Sequence, residues 1–447
     1  MEIPKPLTNL VSYANSIDQG KSEKLFTMTA MVITPTEQIP LILPTGFARL
    51  CLFGVNHSDD SQIKANIQPG VYQNSILPYK DNLFIEVIER VGYVQTMYRY
   101  RAFPLGDSSA PMTATNTSMA DLTTKDAINM VSVKFQLLDV GYAQLRTVMI
   151  SDHLLMTTLD KVLHYQLTKY GEQLNLTGGD KWLGVDIEYP YDNTRIFKQV
   201  IIPAAIPLVK LADFLQQDDQ FGFYSRGMGS YYRKGMWYIF PPLKTGRYEK
   251  ARKVANVYAL PENVFPTLKN SWFLDEKVLT ILSTGQGDNI DGSDIHKLNH
   301  GSGKRVISSD AIMGEVGRYY AKGQGLTTRE DSLSEYKTSE RSSGEENIPY
   351  HSTPTNNLCK LLSQNAYTDG NIVSRTWHNS NGREIEPGMP CRYYFMNGSD
   401  ALMYREGTIV SIRSEYQQDT QSVGQPVFRE HSTLEMFLAN DVVAVEA

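Results

Sequence analysis

Alternation of apolar and polar residues dominates the first part of the chain. Segments with this pattern cover residues 25–33, 38–43, 47–53, 75–77, 83–91 and 95–103. Turn residues such as Pro69-Gly70, Asp81-Asn82 and Gly92 separate the segments. Short strands at this spacing are typical of a β-barrel or a β-sandwich. We therefore expect a first β-barrel domain over residues 1–110, with a polar, proline-containing arm over residues 1–20.

Residues 111–184 change pattern and predict a connecting α+β domain. A loop rich in Ser, Thr and Asp over 106–125 is followed by a strand, in which Val131, Val133, Phe135 and Leu137 alternate with polar residues. A second strand is expected over 142–150. The clearest long helix comes next, and its apolar face consists of Leu155, Leu159, Val162, Leu163 and Tyr170. Gly171 is a typical residue to end it.

The stretch 200–242 is the most distinctive of the sequence. Pro207 precedes a short helical stripe, and an aromatic hairpin turns at Lys234-Gly235. Aromatic side chains at this density can cover a wide area, so we interpret them as a surface that binds other copies or other proteins. The helical stripe consists of Leu208, Leu211, Ala212 and Leu215. The candidate interface residues are Phe223, Tyr224, Tyr231, Tyr232, Trp237, Tyr238 and Phe240.

The second half of the chain predicts a second, interrupted barrel. Residues 185–250 would form its first part and residues 371–447 its second part, ending in a C-terminal helix over 432–440. Residues 251–370 would be an inserted α+β region that holds strands at 254–260 and 277–282, a helix at 311–320 and a long polar loop at 284–358. The fold class expected for the whole chain is mainly β with some α: two antiparallel β-barrel domains with α+β insertions, able to form a ring.

Composition narrows the possible partners. The chain has 43 Lys and Arg against 49 Asp and Glu, a net charge of −6. This balance argues against a protein that grips a phosphate backbone, so DNA would pass by without being held. The three cysteines form no zinc-type pair, and the first residues lack the pattern of a signal peptide. The apolar run 200–209 is too short to cross a bilayer, so we expect a protein assembled in the cytoplasm without a membrane partner.

Several motifs resemble metal or phosphate sites but are incomplete. The acidic segment 288–294 lacks the closing Glu of a calcium loop. His296 and His300 have the spacing of two zinc ligands, but no Glu follows His296. The segment 301–305 has Arg305 in place of the Ser or Thr that holds magnesium in a phosphate loop.

Two further pairs of residues have side chains of the kind used in catalysis. Cys51 and His57 could be a thiol and its base, but Cys51 lies in an apolar strand pattern and is expected to be a buried, inert thiol. Glu86 and Glu89 should lie on opposite faces of a regular strand, which prevents their use as a pair. We therefore predict no catalytic, cofactor-binding or metal residues, no cofactor and no enzymatic activity.

The stretch 200–242 resembles the central hub protein of contractile-tail baseplates, a family shared by long-tailed bacteriophages and, in fused form, by the spike of type VI secretion. The resemblance is carried by Leu211-x-x-Phe214-Leu215, by Gly222-Phe223-Tyr224 and by the hairpin strand 237–240. A two-strand unit formed by 386–389 and 405–410 is similar to one near the C-terminal end of such hubs. The polar region 284–358 departs from the family pattern.

The resemblance implies a structural virion protein of the tail baseplate. In such hubs each chain contributes two similar barrels, so a homotrimer forms a pseudo-six-fold ring that joins the six-fold tail tube to the three-fold central spike. The ring surrounds a channel for DNA during genome ejection. The implied partners are further copies of the chain, the tail tube protein, the central spike protein and baseplate wedge proteins, with the tape measure protein as an additional candidate.

Two other functions fit the same sequence. The chain could be a different β-structural virion protein, such as a neck adaptor or a tail-tube terminator. It could also be a carbohydrate-active or carbohydrate-binding protein that stacks sugars on Tyr231, Tyr232 and Trp237.

Overall fold

The structure is a computed structural model, and the fold is mainly β with few helices. It describes residues 5–17, 26–41, 43–91, 94–105, 131–177, 180–191, 193–217, 221–260, 271–284, 289–290, 304–308, 316–320, 332–337, 346–350, 370–396, 401–419 and 427–445. The predicted loop at 106–125, the acidic segment 288–294, His296 and His300 fall wholly or largely outside these ranges.

The helices and strands are numbered in chain order. The helices are α1 (Lys5–Ile17), α2 (Pro69–Val71), α3 (Val140–Leu145), α4 (Leu159–Gly171) and α5 (Leu211–Gln217). The strands of the first half are β1 (Phe26–Ile33), β2 (Gln38–Leu41), β3 (Leu43–Leu52), β4 (Asp60–Ile67), β5 (Leu83–Val91), β6 (Val94–Leu105), β7 (Val131–Asp139), β8 (Met149–Thr157), β9 (Gly184–Ile187), β10 (Phe197–Pro207), β11 (Gly229–Arg233) and β12 (Met236–Phe240). Those of the second half are β13 (Val254–Ala259), β14 (Trp272–Asp275), β15 (Val278–Ser283), β16 (Asn289–Ile290), β17 (Lys304–Ser308), β18 (Val316–Tyr320), β19 (Ser332–Lys337), β20 (Glu346–Tyr350), β21 (Gly370–Trp377), β22 (Pro390–Met396), β23 (Leu402–Asp419), β24 (Val427–Ala439) and β25 (Val443–Ala444).

The first strand set consists of β3, β4, β7, β6, β5 and β1, paired antiparallel in that order. One end pairs with β23 through residues 47–52 of β3, and the other meets β24 through Phe26 and Thr27 of β1. Side chains such as Val32, Ile85 and Phe135 are buried in one core inside this set. The β1–β24 contact is only two residue pairs long.

The second strand set consists of β15, β13, β22 and β21, again attached to β23 and β24. The pairs β13–β15 and β13–β22 are parallel, whereas β22–β23 and β21–β24 are antiparallel. A single bridge between Thr284 and Thr376 joins the end of β15 to β21. Side chains such as Ile281, Trp377 and Leu434 form a second, separate core inside this set.

Strands β23 and β24 are shared by both sets. They form a long antiparallel ribbon in which β23 pairs with β22 as far as Thr408 and with β3 from Ser411 onward. A register shift between Ile409 and Ser411 lies at this change of partner. A β-bulge bends the strand that carries it, so this irregularity allows one strand to continue from one sheet into the other.

A third unit of helices and short strands packs against the second set. Helices α4 and α5, the β8–β10 ribbon and the sheet β11–β12–β9 enclose a core of their own. Side chains of the β11–β12 hairpin alternate between two cores, since Tyr232 and Ile239 belong to the core of this unit, whereas Tyr231 and Phe240 belong to the core of the second set. The hairpin therefore joins the unit to the strand sets.

The predicted helices and hairpin of the central region are confirmed, with one change. The hairpin turns at Lys234 and Gly235, both with positive φ as its tight turn requires. Helix α4 ends at Gly171 as expected, but it begins at Leu159, and Leu155 lies exposed in β8.

Five predicted elements have a different structure. The segment predicted as a C-terminal helix is strand β24. Its consecutive residues Met436 and Phe437 are both buried, so both faces of the strand are covered. Apolar residues on both faces give a spacing similar to that of a helix. The predicted arm is helix α1, which packs Leu7 and Ala14 against the second set. The predicted strand over 142–150 is wrong in its first part, because those residues belong to helix α3. Strand 75–77 is helical, and residues 316–320 of the predicted helix 311–320 form a strand.

The grouping of strands also differs from the expected domains. Strand β7, placed in the connecting domain 111–184, pairs with β4 and β6 of the first set. Strands β9, β11 and β12, placed in the second barrel over 185–250, pair with one another. Strands β13 and β15, placed in the insertion 251–370, belong to the second set. Within the predicted polar loop 284–358, the described strands β17–β20 form a small sheet of their own. Local patterns do not specify which strands pair, because the partners are distant in sequence.

The close approach of β23 and β24 predicts that a side chain added at Gly407 lowers the stability of the protein. A Cβ atom there would lie 2.0 Å from the backbone oxygen of Phe437 on the paired strand. We expect Gly407→Ala to lower the free energy of unfolding by about 1–3 kcal/mol, since the two backbones must separate. Urea unfolding measures the change. Gly70→Ala is the matched control, because nothing lies within 4 Å of its added Cβ, and equal stability of the two variants would contradict the close approach.

Candidate functional site

The predicted interface residues lie mostly in the interior of the chain. Six of the seven have less than a tenth of their surface exposed: Phe223, Tyr224, Tyr231, Tyr232, Trp237 and Phe240. They have no exposed face that a second copy could contact. These residues therefore pack in the core and do not form the predicted interface. Tyr238 is partly buried and lines a surface cleft.

The same rings have polar partners that fix them in place. The indole N–H of Trp237 donates to Ser230 Oγ at 2.9 Å, and the Tyr231 hydroxyl donates to Asp59 at 2.9 Å. Burial of the Trp237 ring at 1% exposure leaves no platform for a sugar. Tyr231, Tyr232 and Trp237 therefore cannot stack on a sugar in the way that the carbohydrate hypothesis requires.

A layer of polar residues crosses the shared ribbon between the two apolar cores. On β3, Arg49 lies between Phe47 of the first core and Cys51 of the second. Its paired residue on β23 is Ser414, which in turn pairs with Ser432 on β24. Because alternate residues of a strand share a face, the apolar–polar–apolar order repeats in register on β3 and β23, where Ser414 lies between Ile412 and Tyr416. On β24 the polar part of this face is two residues long, Ser432 and Glu430, between Leu434 and Phe428.

Buried ion pairs hold this layer together. Arg49 contacts Glu430 at 3.4 Å, and both side chains are almost fully buried. The backbone N–H of Gly382 also donates to Glu430 Oε1, at 2.9 Å. Arg383 from the same loop pairs with Glu89 on β5, and its guanidinium lies 3.5 Å from the centre of the Tyr98 ring. The loop 381–384 thus bridges β5 and β24.

A third ion pair extends the layer to the aromatic hairpin. Arg233 Nε lies 3.3 Å from Asp59 Oδ2, and Arg233 also donates to the carbonyl of Gly382. Burial opposes the charge of Asp59, but the charges of Arg233 and Arg49 outweigh it and lower the pKa of this carboxyl. The three arginines and three carboxylates balance in charge, which is the condition for burying ions at all.

His57 connects the third unit to β3 through both ring nitrogens. Nδ1 lies 3.2 Å from the carbonyl oxygen of Ser230, and Nε2 lies 3.3 Å from Asp213 Oδ2 on α5. Both partners are acceptors, so the ring needs both protons to satisfy them. Burial lowers the pKa of His57, but the hydrogen bond and charge of Asp213 outweigh burial and raise it above its ordinary value.

Two grooves open on the surface of the third unit. A cleft of about 390 Å³ lies between Tyr189, Tyr191 and the loop 386–390. Tyr189 is 48% exposed and Tyr191 66%. The two rings meet edge to face with their centres 4.9 Å apart, and Lys244 lies 5.5 Å from the centre of the Tyr191 ring. A wider groove of about 920 Å³ runs between α4 and β9. Sequence analysis missed Tyr189 and Tyr191, because an isolated Tyr-Pro-Tyr gives no periodic signal.

Exposed apolar residues concentrate on the β8–β10 ribbon. Leu155 and Met156 on β8 and Ile201 on β10 are each more than half exposed. Within the described part of the chain, β8 and β10 pair only with each other, so both outer edges of the ribbon are open to a further strand.

The candidate catalytic pairs have other structural positions. Cys51 is a free, buried thiol whose pKa is raised to about 12 by burial, as expected for an inert cysteine. Glu89 faces the interior, whereas Glu86 lies on the outer face of β5 with Arg99, which confirms that they do not form a pair. Among the described residues no three His, Cys, Asp or Glu side chains cluster closely enough to hold a metal ion. No described helix has the length and apolarity to cross a membrane.

The ion pair Arg49–Glu430 generates the first prediction for this layer. Arg49→Met should lower the free energy of unfolding by about 3–5 kcal/mol, because it leaves a buried carboxylate without its cation. The double variant Arg49→Met, Glu430→Gln should recover part of this loss, since a neutral amide can still accept from Gly382. Denaturant unfolding of the wild type, both single variants and the double variant gives the coupling. Arg413→Met, at an exposed pair with Glu415, is the control. If Arg49→Met lowers the free energy of unfolding no more than this control does, the stabilising role of the buried ion pair is contradicted.

The His57 contacts predict a pH-dependent contribution to stability. A histidine with a raised pKa in the folded state contributes most below the ordinary pKa of about 6.5, and the contribution disappears as pH rises through the raised value. We expect His57→Gln to cost about 1–2 kcal/mol at pH 5.5 and much less at pH 8.5. Unfolding of both proteins across this range tests the sign. The control is His153→Gln, at an exposed position on β8, and a constant difference between the wild type and His57→Gln would contradict the protonated state.

Comparison with known proteins gives structural matches only. No family model matches the sequence, and no curated protein matches it either. The tail protein from Neisseria meningitidis MC58 is 9% identical with a TM-score of 0.46, and the match covers 93% of this chain and 97% of that one.

Two further structures have similar values. The 43 kDa tail protein of prophage MuSo2 from Shewanella oneidensis is 10% identical with a TM-score of 0.46, covering 92% of this chain and 98% of that one. A chain of the Francisella PdpA-VgrG complex is 10% identical with a TM-score of 0.45, covering 99% of this chain but 57% of that one. Two of these three similar structures are named as tail proteins.

Proposed function

We propose that the chain is a non-enzymatic structural protein of a phage tail that acts as a baseplate hub. In this proposal the first and second strand sets are the two barrels of one subunit, and three subunits form a ring with six barrels. The ring joins a six-fold tail tube to a three-fold spike. The observation that carries the proposal is that one ribbon, β23–β24, runs through two separate apolar cores.

The shared ribbon suits a ring because it fixes the relation between the two sets. Two units connected only by a flexible linker reorient freely, whereas two units that share hydrogen-bonded strands do not. The bulge at Ile409–Ser411 sets a single bend between them. A subunit with a fixed bend supplies a constant angle to a closed ring, which cyclic symmetry requires.

We assign the contact between copies to the β8–β10 ribbon. Its open edges and the exposed Leu155, Met156 and Ile201 are the features that a neighbouring subunit would cover. This surface replaces the buried rings as the interface candidate, and Tyr238, which lines the cleft at Tyr189 and Tyr191, keeps its proposed interface role.

The acidic balance of the chain supports a channel through which DNA slides. A net charge of −6 repels phosphate and prevents a lasting contact. Further copies of the chain, the tail tube, spike and wedge proteins, and the tape measure protein remain the proposed partners, in a virion assembled in the host cytoplasm. A neck adaptor or tail-tube terminator would have the same ring-forming properties, and the position in the particle separates these functions.

The mass of the purified protein in solution tests the ring. We expect a particle with the mass of three chains of 50.4 kDa each, and electron micrographs of it should show a ring with six lobes. Ile201→Asp should shift the mass toward one chain, because it places a charge in the proposed contact.

The matched control introduces the same charge on another strand. Met97 is also more than half exposed, on β6 of the first set, and Met97→Asp should leave the oligomer intact. A wild-type monomer at micromolar concentration would exclude a self-assembling hub. A trimer unaffected by Ile201→Asp would keep the hub and refute only the assigned contact.

A further inference from the structure

Two histidine rings face each other at one end of the polar layer. Nδ1 of His378 lies 3.3 Å from Nδ1 of His431, and the ring planes are inclined at 77°. His378 follows directly after β21, whereas His431 lies within β24. The first ring is exposed and the second partly buried, so a dissolved ion can reach the pair.

The backbone on either side of His378 is held in place. Before it, Trp377 pairs with Ser432 of β24. After it, Asn379 has a left-handed conformation with φ of 47°, and the Ser380 N–H donates to the carbonyl of Glu430 at 2.8 Å. The left-handed residue folds the chain back over β24, so the two rings are brought together by the fold. A pair fixed in this way loses little entropy when it binds a ligand.

The distance between the nitrogens matches a shared cation. Metal–nitrogen bonds of about 2.0–2.1 Å at tetrahedral angles place two imidazole nitrogens about 3.3–3.4 Å apart. Glu415, the residue paired with His431 across the ribbon, adds a negative charge, and Arg429 adds a positive one. An imidazole ring in its neutral form has a lone pair on one nitrogen that it can donate to a metal ion.

We propose that His378 and His431 form a binding site for a divalent transition-metal ion such as Zn²⁺, with water completing the coordination shell. Imidazole suits this class of metal, whereas Mg²⁺ and Ca²⁺ prefer oxygen ligands. A bound ion would connect the loop 378–384 to β24 at the edge of the polar layer. Both rings would donate through Nδ1 and keep their proton on Nε2.

Calorimetric titration of the untagged full-length protein with ZnCl₂ at pH 7.5 tests the site. We expect one saturable site in the wild type, binding at least about tenfold weaker in His378→Gln and in His431→Gln, and no response to MgCl₂. His153→Gln removes an exposed histidine elsewhere and should bind as the wild type does. Binding should also disappear at pH 5, where protons compete for the rings.

Three results would overturn the proposal. One is the absence of saturable Zn²⁺ binding, which would leave the pair as two rings that share a hydrogen bond. Another is wild-type affinity in both pair variants, and the third is an equal loss in His153→Gln. Thermal unfolding of each variant without metal shows whether it is folded, and His378→Asn gives a second, smaller change at the exposed position. The outcome does not depend on the proposed function, because the ring of subunits does not use this pair.

Discussion

The register between β3, β23 and β24 is the constraint on which the two strand sets depend. Each set has its own apolar core, and among the described residues these three strands extend from one core to the other. Arg49, Ser414 and Glu430 mark that boundary on the three strands, and the pair Arg49–Glu430 connects two of them directly. Because one ribbon contributes to two cores, a single strand register must bury the correct side chains in both cores. The polar layer fixes that register.

A hydrophobic pattern cannot fix this alignment by itself. A slip of one residue turns every side chain to the opposite face and is strongly penalised, but a slip of two keeps apolar residues on the inner face. A slip that places Arg49 opposite the apolar Ile412 rather than Ser414 moves this buried charge away from Glu430, which pairs across the ribbon with Tyr416. Ion pairs in a core contribute little to net stability compared with apolar substitutes, yet unpaired charges are very costly. The layer therefore acts against the wrong registers.

The sequence predicts local structure well where one face is apolar and the other polar. Helix α5, most of α4, the Lys234-Gly235 turn and the strands 83–91 and 95–103 follow from such patterns. It fails where both faces are covered, as in β24, and where partners are far apart, as in the grouping of β7 or β13. The polar layer escaped detection because a charged residue in a strand is ordinarily assigned to solvent. The available signal was weak: Arg49 lies in phase with Phe47 and Cys51, whose neighbours on the other face are less buried.

The aromatic hairpin shows how a correct local prediction led to a wrong surface. Tyrosine and tryptophan favour interfaces because they combine a wide apolar area with one polar group, and the hairpin does form an interface, but one inside the chain. Tyr231 and Phe240 face the second core, whereas Tyr232 and Trp237 face the core of the third unit. Arg233 carries the polar layer into the same hairpin through Asp59. Aromatic density thus marks a boundary between packed units, and only the fold decides whether both units belong to one chain. In this chain they do, which is why the proposed contacts with other copies are assigned to a less aromatic surface, the β8–β10 ribbon.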